Sequence, residues 1–299
     1  MTEEILGFLQ NNVVEYKRLT NLSRISTVRI GGIADMVVYP NSTYMLAKLV
    51  KKLNDSKIPY KILGRMSNVL MAKDYYQEVI IRTDRIDAFN VNDNNLTVST
   101  GISLSRLAKI ALNCSLSGLE ALSGIPGSIG GAIRGNAGAY GREMSDIVSS
   151  VTLLEPSLGD VFEVKNSQLD FSYRHSSVIQ SDLIILSAKI SLCRSTVDAV
   201  YSKMIDIANR RRAAQPTEFP TLGSVFKRCE GDLLPWQLID GCGLRGYSVG
   251  DAEISKKHAG FIVNRGSAKA SDFLSVVEQA EKSVLDRYKI KLEREIEVI

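Results

Sequence analysis

The chain has 299 residues, of which 44% are hydrophobic and 23% are charged, and this composition excludes the collagenous and intrinsically disordered classes. Lysine and arginine number 37 against 33 aspartate and glutamate residues. A net charge of +4 argues against a nucleic-acid-binding protein, which would carry a basic stripe, so we expect no nucleic-acid partner.

Cysteine use and the N-terminus indicate where the protein works. The 4 cysteines are widely spaced, and with only 2 histidines the chain has no zinc-ligand spacing. We therefore expect free thiols, no metal site and a reducing compartment, most simply the cytoplasm. The sequence MTEEILGFLQ lacks the features of a signal peptide. Glu120, Pro126 and several glycines interrupt the longest weakly charged stretch, so we expect no membrane insertion.

The first 85 residues alternate between helical and extended patterns. The predicted elements are a helix within residues 1–20, extended stretches at 27–30 and 36–39, a helix capped by Asn41 or Ser42, and strands at 60–63 and 79–81. This β-α-β alternation predicts a small α/β subdomain over residues 1–85.

Two further segments follow. Residues 86–212 are predicted to contain a strand at 96–100, a helix capped by Ser103, strands at 148–154 and 183–192, and a helix at 195–212. Residues 213–299 open with a proline-containing linker and are predicted to hold a helix capped by Ser271 and a final strand. Strand periodicity would place Glu293, Glu295 and Glu297 on one face of that last strand, where a solvated edge is the alternative to a functional site.

The glycine-rich run from Gly118 to Gly141 is the most unusual part of the sequence. It holds eight of the 22 glycines. Dense glycine allows the backbone to approach a ligand and to direct N–H groups at phosphate oxygens. The spacing fits neither a Walker A loop nor a Rossmann fingerprint. A loop of tight turns without a ligand remains the alternative.

Other motifs are weaker. Residues 241–246 spell GxGxxG, but a helix start at Pro235 precedes them and no helix follows, which disfavours a dinucleotide fold. The tetrapeptide YRHS at 173–176 could bind a carboxylate or phosphate through its arginine, or form a surface turn. Ser224 lacks the sequence context of a hydrolytic nucleophile, although a role as proton donor stays open. The context of His258 favours a packed or hydrogen-bonded histidine over a catalytic one.

Four blocks carry a resemblance that covers nearly the whole chain: LSGIPGSIGGAIRGNAGAYG, YRHS, GSVFK and KHAGFIVN. In this order and spacing the sequence resembles the UDP-N-acetylenolpyruvoylglucosamine reductase (MurB) family, in its shorter subtype. The resemblance implies an α+β flavoprotein with an FAD-binding fold of the vanillyl-alcohol-oxidase type. It divides the chain into FAD-binding subdomains at 1–85 and 86–212 and a substrate-binding domain at 213–299.

The resemblance also implies an activity. NADPH reduces bound FAD, and the enolpyruvyl group of UDP-N-acetylenolpyruvoylglucosamine is then reduced to give UDP-N-acetylmuramate, a precursor of peptidoglycan. Partners would be these small molecules, and a monomer is favoured. The implied catalytic residues are Arg174 and Glu295, which stabilise the developing charge, and Ser224, which donates the proton. The pKa of Glu295 would then be raised.

Binding roles follow from the same resemblance. The implied substrate-binding residues are Tyr173, Lys227 and His258. The implied FAD-binding residues are Gly64, Arg65, Ser67, Asn68, Gly124, Ile125, Pro126, Gly127, Ser128, Gly130, Gly131, Asn136, Ala137, Gly138 and Ala139.

The chain departs from the family pattern at two informative places. Met66 stands where the cofactor-binding turn has glycine, and Glu297 stands where the last strand has arginine. Two alternatives therefore accompany the reductase interpretation. One is a diverged paralogue that binds flavin or sugar nucleotide without turnover, and the other is a different oxidoreductase on the same FAD-binding scaffold.

Overall fold

The computed structural model describes residues 3–299. Its helices are α1 (Glu3–Asn11), α2 (Thr43–Asp55), α3 (Leu104–Asn113), α4 (Ile129–Arg134), α5 (Val197–Ala214), α6 (Pro235–Gly241) and α7 (Ala270–Tyr288). Its strands are β1 (Glu15–Asn21), β2 (Ile33–Tyr39), β3 (Tyr60–Leu63), β4 (Val69–Leu70), β5 (Tyr75–Arg82), β6 (Phe89–Asn92), β7 (Asn95–Ser99), β8 (Leu116–Ser117), β9 (Gly138–Ala139), β10 (Arg142–Glu143), β11 (Val148–Leu154), β12 (Val161–Lys165), β13 (Ile184–Ser191), β14 (Cys193–Arg194), β15 (Thr221–Ser224), β16 (Ser248–Val249), β17 (Ala252–Ile254), β18 (Phe261–Asn264) and β19 (Glu297–Val298). No helix within residues 3–299 has both the length and the apolar composition needed to cross a membrane.

The chain forms two compact units, each assembled from separate stretches of sequence. The first unit contains the described residues up to Arg18, Asp35–Arg65 and Gln77–Ala208, and the second contains Leu19–Ala34, Met66–Tyr76 and Asn209–Ile299. The predicted division into three segments, with boundaries after residues 85 and 212, stays a prediction.

The first unit contains two larger sheets, besides the two-stranded pairs β9–β10 and β8–β14. A four-stranded sheet has the order β1-β2-β5-β3, with β3 parallel to β5. The Ser42 hydroxyl caps α2 by accepting a hydrogen bond from the Met45 N–H at 3.2 Å, which decides between the two predicted caps. An antiparallel sheet of order β12-β11-β13-β7-β6 packs its apolar face against α3 and α4. Ser103 caps α3 as predicted.

The second unit is built on an antiparallel sheet of order β15-β18-β17-β16. Its core buries apolar residues of the sheet together with those of α6 and α7, among them Phe273, Val277 and Val284. The short strand β19 runs parallel to β4.

Three local predictions in this unit are wrong. Helix α7 begins at Ala270 after Lys269, so Ser271 lies inside the helix instead of capping it. Residues 27–30 form a turn, because Arg29 adopts a φ of 57° and its N–H donates to the Ser26 carbonyl. The final segment is a regular strand only at β19, and the chain bends at Ile296.

Candidate active site

A cavity of about 760 Å³ lies in the first unit, where the residue after β3 approaches the start of α4. Its volume falls within the usual range for small-molecule and cofactor sites. Four predicted cofactor-binding residues line it: Gly64, Ser128, Gly130 and Gly131. The other predicted cofactor-binding residues of this unit, which are Arg65 and residues 124–127 and 136–139, lie outside the lining. Ser67 and Asn68 belong to the second unit.

Close packing explains two of these glycines. A Cβ atom at Gly64 would collide with the Ser128 hydroxyl, and one at Gly130 would collide with the Thr100 hydroxyl. Neither glycine has a positive φ, so the requirement is for space and not for backbone freedom. At Gly131 the nearest side-chain atom to an added Cβ would be 3.8 Å away. The cavity is therefore walled by backbone at this place, as the glycine-rich run predicted.

The first turn of α4 directs two of its amide groups at the protein. The Ile129 N–H donates to the Ile102 carbonyl and the Gly130 N–H donates to the Thr100 carbonyl, each at 2.9 Å. A phosphate bound in the cavity would therefore need hydrogen-bond donors other than these two amides. Arg134 also lines the cavity, and its guanidinium donates to the Ile179 carbonyl at 3.2 Å. Sequence reasoning missed Arg134, although it is the one basic residue of the glycine-rich run.

The structure brings the end of the glycine-rich run together with the YRHS tetrapeptide. The buried Asn136 side chain donates to Ser172 and Glu143 and accepts from the Ser145 N–H. Ser176 donates to the Arg134 carbonyl at 2.7 Å, beyond the end of α4. The resemblance assigned Asn136 to FAD, but its side chain forms hydrogen bonds with other groups of the protein.

Arg174 lies at the tip of the turn that these contacts hold. It adopts a φ of 54°, which is uncommon for a residue with a Cβ atom. Its guanidinium lies 5.1 Å from the centre of the Tyr173 ring, and one nitrogen is 3.5 Å from the Gly138 carbonyl oxygen. Tyr173 is 40% exposed. The two predicted functional residues therefore stack on each other at a well-anchored turn.

In the second unit, Ser224 and Glu295 lie on adjacent segments. Ser224 ends β15 after Gly223, whose φ is 83°, and its hydroxyl donates to the Phe226 carbonyl at 3.2 Å. The Glu295 N–H donates to the carbonyl of Val225 at 2.8 Å. This backbone contact pairs the segment that carries the predicted proton donor with the segment that carries the predicted carboxylate.

Lys227 is paired with a neighbouring carboxylate. Its ammonium lies 2.5 Å from Glu293 Oε1, and its N–H donates to the Glu293 carbonyl at 2.9 Å. The carboxylate is largely exposed, so the pair adds little stability. A substrate anion bound by Lys227 would share this ammonium with the Glu293 carboxylate or displace it.

His258 is packed among aromatic rings. Its ring centre lies 4.9 Å from that of Phe261 and 5.6 Å from that of Trp236, and its Nδ1 accepts a hydrogen bond from the Gly260 N–H. Burial, reinforced by the positive charge of Arg245, lowers the pKa of His258. The imidazole is therefore neutral at pH 7 and carries its proton on Nε2.

This lowered pKa predicts a pH dependence of stability. The unfolded chain takes up a proton on this histidine near pH 6.5, while the folded chain resists it, so the free energy of unfolding should decrease as the pH falls through about 6.5. We expect His258→Phe, which keeps an aromatic ring, to flatten this part of the curve. Urea midpoints followed by the fluorescence of Trp236, the single tryptophan, test it. Parallel curves for the two proteins would contradict the assignment.

Met66 adopts the backbone conformation that glycine favours. Its φ is 51° and its side chain is 2% exposed. A residue with a Cβ atom pays about 1–2 kcal/mol for this left-handed conformation.

Two substitutions separate the free-energy cost of the positive φ at Met66 from the effect of losing its buried side chain. Met66→Ala and Met66→Gly both lose the buried side chain, but only glycine relieves the backbone. We expect both to be destabilised, and the glycine variant to be more stable than the alanine variant by about 1 kcal/mol. Urea denaturation of both variants measures the difference. Equal stabilities would show that the positive φ costs nothing here.

Comparisons with known proteins match both parts of the chain. The model of the UDP-N-acetylenolpyruvoylglucosamine reductase C-terminal domain matches residues 215–299, and that of an FAD binding domain matches residues 34–165. The UDP-N-acetylenolpyruvoylglucosamine reductase of Clostridium novyi is 36% identical over 285 residues, which are 95% of this chain and 92% of that protein. The corresponding protein of Latilactobacillus sakei is 34% identical over 300 residues, covering 100% and 98%.

Solved structures agree with these matches. The UDP-N-acetylenolpyruvylglucosamine reductase (MurB) of Thermus caldophilus superimposes with a TM-score of 0.79 at 30% identity, covering 95% of this chain and 98% of that one. An alkyldihydroxyacetonephosphate synthase shares the fold alone, with a TM-score of 0.50 at 16% identity over 65% of this chain and 41% of its own. The predicted fold class, α+β with an FAD-binding fold of the vanillyl-alcohol-oxidase type, is confirmed.

Proposed function

Because this chain belongs to the UDP-N-acetylenolpyruvoylglucosamine reductase family, we propose that it reduces the enolpyruvyl group of that sugar nucleotide to give UDP-N-acetylmuramate. The enzyme is an oxidoreductase of peptidoglycan precursor synthesis that uses FAD and NADPH. The observation that carries the proposal is the backbone pairing of Glu295 with the Ser224–Val225 segment, within the part of the chain that matches the family's C-terminal domain.

The residues that line the cavity of the first unit are proposed to contribute to FAD binding. Bound FAD would supply hydride transfer, which no amino-acid side chain can perform. Gly64 and Gly131 leave room for close approach, Ser128 offers a hydroxyl, and Arg134 offers a positive charge for phosphate oxygens. Ile62 and Ile184 add apolar surface against which a ring can pack. Ser67 and Asn68 are further proposed ligands, by resemblance.

Residues of this chain would stabilise the negative charge that develops on the substrate and would supply the proton. Addition of hydride to the enolpyruvyl double bond creates negative charge beside a carboxylate. The Arg174 guanidinium and a protonated Glu295 carboxyl would stabilise that charge as it develops. The Ser224 hydroxyl would then give its proton to the substrate carbon.

Three residues are proposed to bind the substrate. Tyr173 contributes an exposed ring beside Arg174. Lys227 contributes an ammonium group, which forms an ion pair with Glu293. The neutral His258 ring has its Nδ1 committed to Gly260, which leaves the Nε2–H as a donor. We further propose that the enzyme works as a monomer in the cytoplasm.

An anaerobic absorption titration tests the proposed function. The purified, FAD-loaded protein should lose its flavin absorbance with NADPH and regain it when UDP-N-acetylenolpyruvoylglucosamine is added. Flavin that is reduced but not reoxidised by the sugar nucleotide would contradict the reductase and favour a non-catalytic paralogue. Protein that cannot be loaded with FAD would contradict the cofactor assignment.

A further inference from the structure

Asn68 makes two hydrogen bonds that bracket Glu295. Its side-chain Nδ2 donates to the Glu295 carbonyl at 2.9 Å, and its own carbonyl accepts the Glu297 N–H at 2.9 Å. On the opposite edge, the Glu295 N–H donates to Val225 at 2.8 Å. The backbone at Glu295 is therefore held from both neighbouring segments.

The side chain of Asn68 adds one hydrogen bond beyond the point where the backbone pairing of β19 with β4 ends. Parallel pairing joins Glu297 to Val69 in β19 and β4, and the chain bends at Ile296 immediately before that pair. Glu295 thus lies beyond the ladder, and the Asn68 amide supplies the donor that a further backbone rung would have supplied. Aspartate and alanine have no such donor at this length.

We propose that Asn68 is a positioning residue that sets Glu295 in register with the Ser224–Val225 segment. The inference rests on the proposed function, in which Glu295 stabilises charge and Ser224 donates the proton. Such stabilisation depends strongly on placement, since a displacement of about 1 Å can cost on the order of 100-fold in rate. The proposed cofactor-binding turn would therefore also order a catalytic segment, and this coupling must act in both directions.

Asn68→Ala in the FAD-loaded full-length chain tests this role by a readout that does not depend on turnover. Loss of the side-chain hydrogen bond should increase hydrogen exchange at the Glu295 and Glu297 amides about fivefold. At saturating FAD, the loss in the rate of flavin reoxidation by UDP-N-acetylenolpyruvoylglucosamine should exceed the loss in the rate of flavin reduction by NADPH by about tenfold or more. Asn68→Gln, which restores a donor, should recover part of both effects.

Asn94→Ala is the matched control. Asn94, in the first unit, uses the same two groups on a single residue, since its side chain donates to the Leu192 carbonyl at 3.0 Å and its carbonyl accepts the Leu192 N–H at 2.9 Å. Its substitution should leave exchange at Glu295 and Glu297 and both half-reactions unchanged.

Two results would overturn the inference. Unchanged exchange and unchanged reoxidation in FAD-saturated Asn68→Ala would leave Asn68 as a cofactor ligand only. Equal slowing of both half-reactions would indicate disturbed flavin and not a displaced Glu295. Failure of the proposed function is distinguishable from both, because the wild-type chain would then also fail to be reoxidised by the sugar nucleotide.

Discussion

Ser224→Ala should slow reoxidation of the reduced flavin by UDP-N-acetylenolpyruvoylglucosamine by about 10²–10⁴-fold, because general acid catalysis typically contributes that much. Reduction of the flavin by NADPH should keep its wild-type rate, since no proton from Ser224 enters that step. The hydroxyl donates to a nearby carbonyl, at Phe226, so its removal costs about 1 kcal/mol of stability and leaves the fold intact. Stopped-flow absorbance measures the two half-reactions separately.

Ser275→Ala provides the comparison. Ser275 also lies in the second unit, and its hydroxyl donates to the Ser271 carbonyl at 2.8 Å on the exposed side of α7. The same kind of hydrogen bond is lost, so any general effect of removing a serine hydroxyl appears here, and we expect both rates to match wild type. If Ser224→Ala slows both half-reactions equally, the proton-donor role is wrong.

Asn264→Ala should destabilise the second unit by about 3 kcal/mol or more. The Asn264 side chain is 2% exposed, donates to the Val28 carbonyl at 3.0 Å, and accepts the N–H groups of Gly266 and Ala268 at 2.9 and 3.1 Å. Alanine would leave two buried backbone groups without partners, the Val28 carbonyl and the Ala268 N–H, and each such group costs about 1–3 kcal/mol, whereas the N–H of the exposed Gly266 can bond to water. Part of this cost is recovered if water enters.

Urea denaturation followed by Trp236 fluorescence reports this loss, because the single tryptophan lies in the second unit. Asn94→Ala, in the first unit, should leave the Trp236 transition where it is. A midpoint for Asn264→Ala within experimental error of wild type would show that these groups find other partners.

Local rules predicted the regular elements well. Periodicity placed β3 and β11 correctly, and polar residues next to apolar runs located the caps at Ser42 and Ser103. These features depend on residues within a few positions of one another, so a single sequence contains the information. The turn at 27–30 escaped prediction because the buried Val28 and Ile30 have the alternation expected of a strand, while Arg29 takes a positive φ.

Motifs and the resemblance identified the candidate site residues, but they did not identify the groups that these residues contact. Nothing near Asn136 in sequence indicates that it is used by Ser172, and Arg134 has no motif beyond its charge. A residue type shows what chemistry a side chain can perform, whereas the group that it contacts depends on how distant segments pair.

The amino-acid sequence by itself determined the family, the helices and strands with strong periodicity, and the residue types able to handle a flavin and a proton. Only the tertiary structure decided the long-range contacts, such as those of Asn68 with Glu295, 227 residues apart, and of Asn264 with Val28, 236 residues apart. Backbone hydrogen-bonding groups are the same in every residue, so a sequence pattern cannot specify which distant carbonyl an amide will reach. That choice depends on the packing of each unit, which brings discontinuous segments of the chain together.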